Sequence, residues 1–125
     1  MWIQILKSKL HLATVTDACV DYEGSMTISR DLMELAGILP YEKVLCGNMA
    51  NGNRFETYAI PGEPKLGQII LNGATAHLGG VGDRLTIMTF ANMVDEEARK
   101  WTPKVLVLNE TNQIIRKRGI AVPVS

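Results

Sequence analysis

The chain is dominated by short runs in which apolar and polar residues alternate or β-branched residues accumulate. Such runs are typical of strands, because successive side chains along a strand point to opposite faces of the sheet. Asn51-Gly52 falls between two of the runs and predicts a hairpin turn, since both residues tolerate positive φ. The predicted strands lie at positions 2–6, 11–16, 26–29, 43–48, 54–60, 68–71, 84–90, 104–108 and 113–115.

Helical signals are few. Asp31 predicts the N-cap of a short helix over 31–36, with Glu34 three residues on and Gly37 as its stop. A second short helix is predicted over 95–100, where acidic residues come first and basic residues last, as the helix dipole favours. Many short strands separated by Gly and Pro predict a small closed β-barrel of six to eight strands. Because no linker, repeat or low-complexity segment interrupts the pattern, we expect a single domain over 1–125.

Composition narrows the range of partners. The 125 residues include 13 basic and 13 acidic ones, so no net charge attracts nucleic acid or an acidic membrane surface. The dense basic run at 116–118 is interpreted as a solvated strand end. No stretch of about twenty apolar residues is present, and the first residues lack the pattern of a signal peptide. We therefore expect a cytoplasmic protein that spans no membrane.

The sequence offers no pattern for a metal or an external cofactor. Cys19 and Cys46 are too few and too far apart for a zinc knuckle or a redox pair, so we expect free thiols, buried or half-buried. His11 and His77 have no suitably spaced Cys, Asp or Glu partners, so no metal is expected. No glycine-rich phosphate cradle opens a helix, and pyridoxal phosphate is not expected either.

The dipeptide Gly24-Ser25 carries the most specific chemistry in the chain. Glycine allows backbone conformations that other residues avoid, and a serine hydroxyl can attack the preceding carbonyl and turn the amide into an ester. The alternative is an ordinary Gly-Ser turn. A serine hydrolase is disfavoured, because the Gly-x-Ser-x-Gly turn between a strand and a helix is missing.

Further motifs surround this dipeptide in a fixed order. They occupy positions 9–11, 21–26, 51–60, 71–77, 81–83, 95–99 and 101–103. Taken together, they resemble the pyruvoyl-dependent aspartate 1-decarboxylases over most of the chain. The resemblance implies a double-ψ β-barrel that cleaves itself between Gly24 and Ser25, giving chains 1–24 and 25–125. It also implies that Ser25 becomes a pyruvoyl group, which serves the conversion of L-aspartate to β-alanine and CO₂ for pantothenate biosynthesis.

The same resemblance implies a homo-oligomer, a tetramer, with sites between subunits. Whether processing needs a maturation factor stays open. Two residues depart from the family pattern. Met26 stands where a smaller residue or cysteine is common, next to the bond that breaks, and Thr75 stands where alanine is frequent and adds a hydroxyl beside the expected substrate loop.

Arg54 and Lys9 are the candidate ligands for the carboxylates of aspartate. Arginine can hold a carboxylate through two parallel hydrogen bonds, so Arg54 is assigned to the side-chain carboxylate that stays. Clamping the departing carboxylate would stabilise the ground state more than the transition state. Lys9 is the second cation. For both residues the alternative is an exposed charge on a strand.

Tyr58 and Thr57 are adjacent on a predicted strand, so their side chains face opposite sides unless the strand bends. By the resemblance, Tyr58 is the proton donor to the substrate carbon, and a phenol has a proton to give at neutral pH. Thr57 matches the residue that polarises the Gly24 carbonyl during cleavage and later contacts substrate. His11 is expected to support the cleavage site by hydrogen bonding.

Asn72-Gly73-Ala74-Thr75 predicts a strand end that turns towards a short helix, where free backbone amides can hold an anion. By the resemblance, Gly73, Ala74 and Thr75 bind a carboxylate through the backbone, and Asn72 orients the pyruvoyl group. The alternative is an ordinary Asn-Gly turn.

Two other functions stay open at this stage. One is a pyruvoyl decarboxylase of another acidic amino acid, since Arg54 favours an acidic substrate. The other is a non-catalytic double-ψ barrel that only binds partners, which predicts an uncleaved chain and a basic surface.

Overall fold

A computed structural model describes residues 1–120 of the chain. Within this range the fold is mainly β, with nine strands, two short α-helices and one 3₁₀ helix. The helices are α1 (Arg30–Ala36), α2 (Asp95–Lys100) and the 3₁₀ helix Gly73–His77. The strands are β1 (Trp2–Thr14), β2 (Asp17–Cys19), β3 (Ser25–Ser29), β4 (Lys43–Asn48), β5 (Arg54–Gly62), β6 (Ile69–Asn72), β7 (Arg84–Val94), β8 (Lys104–Leu108) and β9 (Ile114–Arg118).

The strands form one continuous order, β2-β6-β3-β5-β4-β7-β1-β8-β9. The long β1 pairs antiparallel with β7 and parallel with β8. On the other side of the order, β3 lies between β5, to which it is parallel, and β6, to which it is antiparallel. This mixture of parallel and antiparallel neighbours is consistent with a small double-ψ β-barrel, and the mainly β prediction is confirmed.

The described residues form nine strands, as many as the predicted runs, but the two sets do not correspond one to one. The runs at 2–6 and 11–16 join into the single strand β1, which passes two register shifts, between Leu6 and Ser8 and between His11 and Ala13. The three-residue β2 was not predicted, because its strand character comes from pairing with β6. The Asn51-Gly52 hairpin is confirmed: β4 and β5 are antiparallel.

The N-cap of helix α1 lies two residues before the predicted one. Ser29 is the N-cap, so the prediction that Asp31 caps the helix is wrong. Asp31 instead lies in the first turn, where its carboxylate accepts hydrogen bonds from the Ser29 hydroxyl (2.6 Å) and the Lys65 amide (2.9 Å). The predicted stop is confirmed, because Gly37 adopts φ of 72° and ends the helix in the left-handed conformation.

Alternate residues of the inner strands make the core. Leu10 of β1, Ile87 of β7 and Cys46 of β4 are fully buried, so their sequence neighbours point outward. Burial raises the pKa of the Cys46 thiol to about 12, so this cysteine is inert. Cys19 is exposed, which corrects the expectation that both thiols are buried or half-buried. Among residues 1–120, no helix has the length and apolar character needed to cross a membrane.

Candidate active site

Ser25 is the first residue of β3 and lies between two strands that carry other candidate residues. On one side the antiparallel register pairs Ser25 with Asn72 of β6. On the other side the parallel register begins at Met26 and Ala59 of β5, so Tyr58 lies one step back, beside Ser25. Ser25 is 1% exposed. The fold therefore places the candidate cleavage residue in a buried position with Asn72 and Tyr58 on its two flanks.

The Asn72 side chain is the direct partner of the Ser25 hydroxyl. Its Nδ2 donates to Ser25 Oγ at 3.0 Å and to Thr27 Oγ1 at 3.0 Å, and the Ser25 hydroxyl donates to the Glu23 carbonyl at 3.4 Å. Sequence reasoning missed Thr27. The signal that could have found it is strand alternation, which puts positions 25 and 27 of β3 on one face. These contacts fix the position of Asn72 against Ser25.

Gly73 explains why the chain can approach the cleavage site so closely. Its φ is 68°, and a Cβ at this position would lie 2.7 Å from Gly24 Cα and 2.9 Å from the Tyr22 carbonyl oxygen. Real Cβ atoms do not make such contacts, so only glycine fits here. Gly24 itself is exposed and has open space around it. The backbone at Gly73 thus forms one wall of the site, against Gly24, whose carbonyl carbon belongs to the bond that is expected to break.

The rest of the expected substrate loop forms the 3₁₀ helix. Ala74 is exposed, whereas Thr75 is 7% exposed and donates its hydroxyl to the Asn72 carbonyl at 2.8 Å. The extra hydroxyl at Thr75 therefore stabilises the turn after Asn72. Met26, the other departure from the family pattern, is fully buried in the core.

Tyr58 and Thr57 lie side by side on β5, both half-buried. Because side chains alternate along the strand, Tyr58 lies on the same face of the sheet as Ser25. Thr57 lies on the opposite face, which it shares with the buried Phe55 and Ala59. The contact expected between Thr57 and the Gly24 carbonyl stays a prediction. The Tyr58 ring lies near the Tyr41 ring, at a centroid separation of 6.3 Å.

Lys9, His11 and Arg54 lie on a different part of the surface. His11 of β1 pairs with Thr86 of β7, Thr86 pairs with Gly47 of β4, and Gly47 pairs with Arg54 of β5. Because directly paired residues share a face of the sheet, His11 and Arg54 lie on the same face. Three strand spacings of about 4.8 Å separate His11 from Arg54, roughly 14 Å in all. Lys9 lies two residues before His11, on the same outward face. We call this row the cationic face.

The cationic face has no acidic partners within the described part of the chain. No carboxylate there forms an ion pair with Lys9 or Arg54. His11 has a buried Nδ1 without a hydrogen-bond partner among residues 1–120. Burial, followed by the positive charges of Lys9, Arg118 and Arg84, lowers the pKa of His11. The positive charges of Lys9 and Arg54 can therefore attract an anion to this face.

One chain thus brings Gly24, Ser25, Asn72, Gly73 and Tyr58 together but leaves the cationic face apart from them. In the described part of the chain, His11 makes no side-chain hydrogen bond to Gly24 or Ser25. Ser25 is buried with the Asn72 amide 3.0 Å from its Oγ, and this environment fits a small carbonyl group made from the serine itself, because an amide N–H can donate to a carbonyl oxygen. Among residues 1–120 no three His, Cys, Asp or Glu side chains gather as metal ligands.

Comparisons with known proteins identify the family of the chain. The model of the aspartate decarboxylase family matches residues 1–115. The aspartate 1-decarboxylase of Thermoanaerobacter pseudethanolicus is 53% identical over 109 residues, which cover 87% of this chain and 93% of the relative. The aspartate 1-decarboxylase of Ruminiclostridium cellulolyticum is 50% identical over 117 residues, which cover 94% of this chain and 91% of the relative. The chain belongs to the aspartate decarboxylase family.

Proposed function

We propose that this chain is a self-processing, pyruvoyl-dependent aspartate 1-decarboxylase. Family membership gives the activity: the enzyme is a carboxy-lyase that converts L-aspartate to β-alanine and CO₂, a product used for pantothenate biosynthesis. The family match favours neither a different acidic substrate nor a non-catalytic barrel. The observation that carries the self-processing is the buried Ser25, whose Oγ accepts from the Asn72 amide, with the preceding Gly24 packed closely against Gly73.

Self-processing uses only groups of the chain and one water. Ser25 Oγ attacks the Gly24 carbonyl carbon, the amide C–N bond breaks, and the Ser25 nitrogen is released as an amine while an ester forms. Loss of the Ser25 Cα proton then expels the Gly24 carboxylate from Cβ. Water finally replaces the nitrogen at Cα, ammonia leaves, and a ketone remains at position 25. The Asn72 amide, which already contacts Ser25 Oγ, holds this oxygen in place for the first step.

The pyruvoyl carbonyl at position 25 supplies the electron sink that decarboxylation of an amino acid requires. The remaining tasks fall to ordinary side chains and backbone groups. Arg54 binds the side-chain carboxylate, and Lys9 adds a second cation. The amides of Gly73, Ala74 and Thr75 contact the other end of the substrate. Tyr58, beside Ser25, gives a proton to the substrate carbon after CO₂ has left.

We further propose that a second copy of the chain completes each site, as in a homotetramer. Arg54 and Tyr58 lie four residues apart on β5, so their Cα atoms are separated by roughly 13 Å at about 3.3 Å per residue. That separation favours a neighbouring subunit as the source of the cationic face. The same neighbour would bring the half-buried His11 to the cleavage site.

Intact mass spectrometry of the purified protein tests the self-processing. Cleavage gives pieces 1–24 and 25–125, with a pyruvoyl group at the start of the second. Ser25→Ala should stay whole and inactive, because no hydroxyl remains. Ser29→Ala is the matched control, since Ser29 is a fully buried serine of the same strand that contacts Asp31 and the Glu63 carbonyl. A cleaved or active Ser25→Ala protein would exclude the proposal.

Subunit mixing tests the shared site. Ser25→Ala chains should be inactive alone, and Arg54→Ala chains should be nearly inactive at aspartate concentrations far below their raised KM. Co-expressed, they should regain activity at about a quarter of the sites, if chains mix randomly in a symmetric assembly. No recovery, in mixtures that native mass spectrometry shows to be hetero-oligomers, would mean that each chain supplies its own Arg54.

Purification of processed enzyme from a reconstituted translation system would show whether a maturation factor is needed. Fractionation that finds the chain outside the cytoplasm would contradict that predicted location.

A further inference from the structure

The loop between α1 and β4, residues 37–42, reaches the side chain of Tyr58. The Tyr41 ring lies 6.3 Å from the Tyr58 ring, centroid to centroid, with the planes tilted by 36°. This separation is in the range where aromatic pairs attract each other. Tyr41 is 78% exposed, so it contributes little to the core, and its ring contact is with the residue that flanks Ser25.

Tyr41 adopts a backbone conformation that is unfavourable for a tyrosine. Its φ is 69°, in the left-handed region that favours glycine. Such a conformation persists only where the surroundings hold it. Two backbone hydrogen bonds do so here: the Tyr41 amide donates to the Ala59 carbonyl at 2.7 Å, and the Ala59 amide donates to the Glu42 carbonyl at 2.9 Å. Both bonds involve the residue directly after Tyr58.

An ion pair between Lys7 of β1 and Glu42 holds this loop against β1. Lys7 Nζ lies 2.6 Å from Glu42 Oε2 and donates to the Gly37 carbonyl at 2.9 Å. Glu42 Oε1 accepts from the Leu39 amide at 2.9 Å. The two side chains are only 21% and 18% exposed, so solvent screens the pair less than it screens the exposed pairs of α2. The pair therefore ties both ends of the loop to β1.

We propose that Tyr41 is a positioning residue for Tyr58, and that the Lys7–Glu42 ion pair holds Tyr41 in its strained conformation for this purpose. The inference rests on the proposed function, in which Tyr58 donates the proton. Packing of one ring against the other restricts the rotation of the Tyr58 side chain and so fixes the direction of its hydroxyl.

Tyr41→Gly separates positioning from stability. Glycine relieves the positive φ and removes the ring, so the fold should tolerate it. Lys65→Gly is the matched control: Lys65 has φ of 66° in an exposed turn, and its contact with Asp31 uses the backbone amide, which glycine keeps. Both variants should self-cleave normally and show similar melting temperatures. Glu42→Gln, which keeps the size of the side chain and removes its charge, should act in the same direction as Tyr41→Gly.

A measurement without the pyruvoyl group complements the kinetics. In a Ser25→Ala background with isotopically labelled tyrosine, the chain's three tyrosines give three sets of ring signals in NMR spectra. The Tyr58 set should move on Tyr41→Gly and stay in place on Lys65→Gly. In the processed enzyme, Tyr41→Gly should lower kcat by roughly 10- to 100-fold, the cost of a displaced catalytic group, with KM nearly unchanged.

The outcomes distinguish this proposal from the function on which it rests. Wild-type kcat in Tyr41→Gly, together with a strong loss in Tyr58→Phe, would overturn the positioning role alone. Wild-type kcat in Tyr58→Phe would remove the proton-donor role and the positioning role together. An equal loss of kcat in Lys65→Gly would show a general effect of the glycine substitution and would also overturn the proposal.

Discussion

Replacement of Gly73 by alanine tests the glycine wall of the site. The change has two costs, which the structure separates. A non-glycine residue in the left-handed region loses about 1–2 kcal/mol of stability. The new Cβ would also lie 2.7 Å from Gly24 Cα, where ordinary contact begins at 3.4 Å, so the two segments must move apart by roughly 0.7 Å. The second cost falls directly on the bond that breaks.

Gly52→Ala is the control that carries only the first cost. Gly52 has φ of 77° in the hairpin turn, and a Cβ there meets nothing within 4 Å. Both variants should therefore lose about 1–2 kcal/mol from backbone strain. Only Gly73→Ala should process slowly, by roughly 10- to 100-fold, since displacements near 1 Å of reacting groups have costs of this order.

The assay follows the fraction of intact chain against time by mass spectrometry after synthesis, with urea unfolding of Ser25→Ala double variants to compare stability before cleavage. Equal processing rates in Gly73→Ala and Gly52→Ala would refute the reasoning. That result would mean that the segment around Gly24 yields to the new Cβ without losing the geometry of attack.

Three further substitutions test proton donation, substrate binding and the pH dependence of stability. Tyr58→Phe should be cleaved normally but lose β-alanine production by about 10²–10⁴-fold, and mass spectrometry should find its large fragment converted to an alanine terminus; wild-type turnover would refute the donor role. Arg54→Ala should raise KM for aspartate by roughly 10- to 150-fold, the worth of charged hydrogen bonds, with processing largely intact; blocked processing with unchanged KM would contradict this. Because the pKa of His11 lies below its ordinary value of 6.5, the unfolded chain binds the proton more readily, and stability should fall as the pH drops through that value. His11→Gln should flatten this fall in urea titrations, and an unchanged slope would place its cause elsewhere.

Local sequence patterns predicted those strands whose bounds do not depend on their pairing partners. The runs 43–48 and 104–108 coincide with β4 and β8, and Gly37 ends α1 as expected. The polar Ser8 hid the continuity of β1, because its burial depends on the facing Thr89, which a local pattern cannot show. The short β2 was missed for a similar reason, since it is a strand only through β6.

The residues of the candidate site also fall into those that the sequence predicted and those that depend on the fold. The resemblance supplied Ser25, Asn72 and Gly73, and the structure brings them together. Thr27 and Tyr41 were not found, because their places in the site depend on register and on the loop before β4. The separation of the cationic face from Ser25 could not be derived from sequence either, since it follows from the strand order.

The strand order also explains why a cut between Gly24 and Ser25 need not take the fold apart. The small fragment would contain all of β1, which pairs with β7 over eleven positions from Trp2 to Thr14 and also lies along β8. It would contain β2 as well, which pairs with β6. None of these ladders passes through the bond that breaks.

The small fragment also carries Lys9 and His11, so its loss would remove most of the cationic face. We therefore expect processed enzyme to keep residues 1–24 under native conditions, visible as complete protomers in native mass spectrometry, and to release them only in denaturant. The ladder of β1 explains the expectation: release must break its backbone hydrogen bonds together and expose Leu10 and Ala13, which are fully buried. Active enzyme that lacks the small fragment would show that Lys9 and His11 are dispensable, and the shared site would have to be rebuilt around Arg54 alone.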